Sequence, residues 1–139
     1  MESPSPLLRT LLLTCVAFFV CMGTAHFLGL KWPVLFVYWD TPFYAYQDKI
    51  IAFTLITYVS LFLGASRHRL MVPYALVSIW GTVAGLVAVN MSDALASVLD
   101  GHGTLAYWAI TVAFGGLAVV LTVLWLQDIG SAPEEERRA

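Results

Sequence analysis

Four long apolar runs, residues 7–30, 42–66, 70–91 and 104–126, leave this chain few ways to fold. About 20 consecutive apolar residues cross the hydrocarbon core of a bilayer as a helix, and each run meets that length. The expected fold is therefore all-α, a single membrane domain of four transmembrane helices, with the lipid bilayer as its first partner. Charge points the same way. Only 12% of the 139 residues are charged and 60% are hydrophobic, with a mean hydropathy of +0.81. Soluble domains carry about a quarter charged residues, so this chain cannot clothe a water-facing surface.

The segments between the runs mark depth. Tyr38, Trp39, Tyr44 and Tyr46 crowd around the start of the second span. Such rings prefer the membrane–water interface, where one end is apolar and the other wet. Thr41 followed by Pro42 reads as a helix start, with a hydroxyl cap and a proline that needs no N–H. The apolar middle of residues 31–40, Val34 to Tyr38, is too short to span and should lie along the interface. Arg67-His68-Arg69 reads as a solvated basic turn, and Pro73 falls in the first turn of the third span, where it is tolerated. Residues 92–103 form a polar loop with one amphipathic turn over 94–99. Tyr107, Trp108 and Trp125 mark the two ends of the fourth span, and residues 127–139 read as a flexible tail.

The first span admits a second reading. Arg9, the apolar stretch Leu11–Met22 and the small residues Gly23-Thr24-Ala25 resemble a secretory signal peptide. Cleavage there would leave three spans and a new amino terminus at His26. The apolar run continues through Phe27-Leu28-Gly29-Leu30, which favours an anchored helix.

Lysine and arginine placement orients the bundle. Arg9, Arg67, Arg69, Arg137 and Arg138 fall on one side, and only Lys31 and Lys49 on the other. Both termini are therefore expected in the cytoplasm, with the chain in the inner cell membrane. Cys15 and Cys21 diverge by about 120° on one helix, so they read as buried apolar fillers rather than a disulfide.

In lipid, helices meet where small residues let backbones approach. Gly81 and Gly85, broadened by Ala84 and Ala88, face such a role on the third span, and Ala109, Ala113 and Gly116 offer matching spacing on the fourth. On the second span Phe53, Thr57, Ser60 and Gly64 form a weakly polar stripe expected to face the bundle.

No strongly ionisable residue falls at mid-membrane, which argues against a proton-coupled or ion-coupled transporter. Facing histidines for a haem are missing, as is a nucleophile with a base beside it. The net charge of −2 and the lack of a basic patch exclude nucleic acid as a partner. Polar groups collect instead at the outer ends of the spans: His26, Asp40, Asp48, Asn90, Asp93, Asp100 and His102, with Tyr44 and Gln47 nearby. Nitrogen and carboxylate ligands of this kind suit zinc, copper or non-haem iron, although no fixed ligand spacing such as HxxxH names a metal or cofactor. His26 and Asp48 should share one depth near the outer helix ends, and they are expected to pair. The leading functional reading is a non-catalytic subunit, assembling with itself or within a larger membrane complex. A membrane enzyme or ligand-binding protein using the outer cluster comes second, and a small-solute channel or transporter third.

Overall fold

A computed structural model describes residues 3–30, 45–99 and 103–131. It contains α1 (Pro6–Leu28), α2 (Ala45–Arg67), a 3-10 turn (Arg69–Met71), α3 (Val72–Asn90), α4 (Asp93–Leu99) and α5 (Leu105–Gly130), with no strand among the described residues. α1, α2, α5 and the segment Arg69–Asn90 are each long and apolar enough to cross a membrane. The all-α bundle of four such helices read from the sequence is thus the fold observed.

Local chemistry sets the helix ends. Pro6 opens α1, where its missing N–H is no loss. Gly29 closes it in the left-handed region at φ 69°. The Gly29 N–H bonds the His26 carbonyl at 3.2 Å and the Leu30 N–H bonds the Ala25 carbonyl at 2.9 Å, the paired pattern of a Schellman cap. The helix accordingly stops at Leu28 rather than at the expected residue 30. α4 forms where one amphipathic turn was expected, and the Ser92 hydroxyl accepts the Leu95 N–H at 3.2 Å as its cap. α5 runs to Gly130, so residues 127–130 are helix rather than tail. Asp128 ties this added turn to the rest of the bundle. Its Oδ2 accepts the Ser5 N–H at 2.8 Å, and its backbone carbonyl accepts a bond from the Arg69 guanidinium. The expected start of α2 at Thr41-Pro42, the interfacial loop of residues 31–40 and the tail from residue 132 lie outside the described residues.

α1 and α2 pack side by side as one antiparallel hairpin, and α3 with α5 as another. Both contribute to one hydrophobic core at the end where α1 begins and α5 ends, here the terminal end. Leu8, Leu12, Cys15 and Phe19 come from α1, Phe62 and Ala65 from α2, Val72, Ala75, Leu76 and Ile79 from α3, and Ala118 and Leu121 from α5. Phe19 meets Tyr58 and Phe62 with ring centroids 4.9 and 5.3 Å apart, and Phe18 meets Phe114 edge-on at 5.7 Å. α1 is therefore half of a hairpin and a main wall of the core.

The inward faces differ from those expected. Phe53, Thr57 and Ser60 are exposed, and α2 instead buries Asp48, Ala52, Phe62, Ala65 and Ser66. A hydroxyl facing lipid can bond a carbonyl of its own helix, as Thr10, Thr14 and Thr24 do at 2.8, 3.0 and 2.9 Å. A weakly polar stripe thus has no need to turn inward. Gly81, Ala84, Gly85, Ala88, Ala109, Ala113 and Gly116 are also exposed, and a Cβ built on Gly81, Gly85 or Gly116 would meet nothing within 4 Å. α3 and α5 do not meet through these small residues. Their contact runs along the opposite faces, where Ile79, Leu76, Ala118 and Leu121 are buried.

Further side chains depart from expectation. Cys15 is buried in the core, but Cys21 is exposed. Tyr107 is only 1% exposed and clusters with Leu95 and Leu99, so it is a packing residue rather than an interfacial marker. Trp125 packs against the core. His68 is not simply solvated: its Nδ1 is buried without a hydrogen-bond partner among the described residues.

Candidate functional site

At the opposite, distal end, two polar pairs stand inside the hairpins. His26 occupies the last turn of α1 and Asp48 the first turn of α2. The His26 Nδ1–H donates to Asp48 Oδ1 at 3.0 Å, and their side chains are only 21% and 12% exposed. Asp48 suits its helix end, since a carboxylate favours the positive N-terminal end of the helix dipole. The expected pairing is therefore present.

One contact beside this pair was not apparent from the sequence. Gly23 lies one turn below His26, and a Cβ on it would sit 3.6 Å from both the Ala52 carbonyl and the Leu55 Cβ. Gly23 thus packs against Ala52 and Leu55 at ordinary van der Waals distance. In sequence, Gly23 was conspicuous only as part of a signal-peptide-like triplet, and nothing marked Ala52 as its partner.

The second pair joins α3 to α5. Asn90 Nδ2 donates to Thr111 Oγ1 at 2.8 Å, and Thr111 Oγ1 donates in turn to the Tyr107 carbonyl at 2.9 Å. Because that hydroxyl proton is committed to Tyr107, Thr111 can only accept from Asn90, which fixes the amide orientation. Asn90 Oδ1 is left buried with no partner among the described residues. Thr111 was missed in sequence because a lone threonine in an apolar span carries no signal until its neighbour is known. The same holds for Tyr58 with Thr82, 3.1 Å apart between α2 and α3, and for the Trp80 indole donating to Thr122 at 3.2 Å between α3 and α5.

Two of the remaining candidates fall among the described residues. Gln47 and Asp93 are exposed. Asp40, Tyr44, Asp100 and His102 lie outside the described residues. Among the described residues, no three histidine, cysteine or acidic side chains come together as a metal centre would require. His26 and Asp48 bond each other, an arrangement that removes the cost of an isolated polar group near hydrocarbon. Both pairs can therefore be understood as fastenings between helices.

Compared with models of known families, with characterised proteins and with solved structures, the chain matches none.

Proposed function

We propose that this chain is a non-catalytic membrane subunit that assembles, with itself or within a larger complex, through the small-residue faces of α3 and α5. One observation carries the reading. Gly81, Gly85 and Gly116 leave open space where a side chain would stand, with Ala84, Ala88, Ala109 and Ala113 exposed beside them. Small residues are characteristic of helix–helix contacts in lipid, where they let backbones approach. Here the chain's own helices make no use of them. The charge placement read from the sequence orients the bundle with both termini in the cytoplasm, and the assembly reading does not depend on it.

The test is Gly81→Leu with Gly85→Leu, followed by cross-linking in native membranes and by mass determination in mild detergent. The parent should form oligomers or retain a partner protein, and the double variant should be monomeric. The variant should still fold, because a Cβ at either position meets nothing within 4 Å. A parent that is strictly monomeric and partnerless in membranes would overturn the reading, as would a variant that assembles like the parent.

A further inference from the structure

On its lipid-facing side, the α1–α2 hairpin carries an apolar groove of about 340 Å³. Val20 and Phe27 form one wall and Phe53 and Ile56 the other, while Gly23 and Ala52, lacking bulk, open the floor. Its lining on α1 extends from Phe19 to Leu28, which at 1.5 Å per residue is about 14 Å. That is close to half of a hydrocarbon core about 30 Å thick, the depth of a single leaflet. Phe19, held against Tyr58 and Phe62, stands at the midplane end. At the distal end Phe27 and Phe53 meet edge-on, centroids 6.0 Å apart, and the Lys49 Nζ lies 5.8 Å from the centre of the Phe27 ring. Among the described residues no carboxylate lies within ion-pair distance of Lys49, and neighbouring Asp48 is bonded to His26.

Shape and charge select the occupant. About 340 Å³ spread over about 14 Å makes a long, narrow apolar slot that accommodates one polymethylene chain. An ammonium with no carboxylate beside it among the described residues calls for an anion at head-group depth, and such a basic residue near a membrane surface favours anionic lipid. We propose that the groove holds an acyl chain of an anionic phospholipid, with the lipid phosphate against the Lys49 ammonium.

Native mass spectrometry of the full chain in mild detergent, with equal amounts of dioleoyl phosphatidylglycerol and dioleoyl phosphatidylcholine, tests this. One lipid should be retained, with phosphatidylglycerol preferred about fivefold, as expected for one basic residue near an anionic surface. Lys49→Gln should bring the two lipids to parity, and Lys49→Arg should keep the preference. Val20→Trp and Ile56→Trp, both at exposed rim positions, should reduce retention of both lipids while the melting temperature stays at the parent value. The proposal is overturned if no lipid is retained, if the parent does not distinguish the head groups, if Lys49→Gln leaves the preference intact, or if both tryptophan variants still retain lipid. A second copy of the chain bound in place of lipid would overturn it as well. Loss of oligomers in the double-leucine variant at Gly81 and Gly85 bears only on assembly, so the two readings fail separately.

Discussion

The terminal and distal halves of the bundle are held together in different ways. In the terminal half, all four long helices contribute to one core, and Asp128 ties the start of the chain and the Arg69 turn to the end of α5. In the distal half, the two polar pairs each lie within one hairpin: His26 with Asp48, and Asn90 with Thr111. The short helix α4 adds a separate cluster of Leu95 and Leu99 with Tyr107. Without a hydrophobic driving force between helices in lipid, cohesion comes from close packing and from interhelical hydrogen bonds worth about 0.6 kcal/mol on average. Packing that unites four helices should therefore govern the stability of the whole. Hydrogen bonds within hairpins govern only how each pair of helices is aligned.

Three substitutions can break or sharpen that contrast. The largest effect is expected at Phe62, fully buried where α1 and α2 enter the shared core. Phe62→Ala should lower unfolding free energy by about 2–4 kcal/mol, mainly through the cavity it leaves, as read by denaturation in mixed micelles. A loss below that of any distal variant would reverse the ranking of the halves.

His26→Ala comes next, at about 1–3 kcal/mol, because it removes one hydrogen-bond donor from a mostly buried Asp48. The double variant His26→Ala with Asp48→Ala should recover part of that loss, a coupling that the same denaturation experiment measures. If the single variant is as stable as the parent, the pair does not fasten the hairpin.

The smallest effect belongs to Asn90→Ala. It removes one hydrogen bond to Thr111 but also an acceptor that has no partner among the described residues. The net cost should be under about 1 kcal/mol. Hydrogen exchange should show faster opening confined to the distal turns of α3 and α5, with the terminal core protected as in the parent. Faster exchange throughout all four long helices would mean that the halves are one cooperative unit.

Part of this organisation can be read without coordinates. Apolar run length marks the spans, because a helix that crosses a bilayer must keep polar side chains out of the hydrocarbon over a known distance. The His26–Asp48 pair is legible for a related reason. Two polar side chains near adjoining ends of consecutive antiparallel helices share one depth, and each lowers the cost of the other there. Pro73 falls where proline is tolerated at the start of a helix.

Which side of each span faces inward is a different kind of question. In a soluble helix, an apolar stripe separates the buried face from the wet one. In lipid both faces are apolar, so Gly81 and Gly85 look as suited to an interior as Leu76 and Ile79 do. Only the packed bundle distinguished them, along with the Gly23–Ala52 contact, the Asn90–Thr111 bond and the exposure of Phe53, Thr57 and Ser60. The amino-acid sequence by itself determined how many helices could cross the membrane and where two polar residues had to meet. Tertiary structure decided the helix faces, because in lipid they are chosen by complementary shape between neighbours, and shape complementarity belongs to pairs of surfaces rather than to either helix alone.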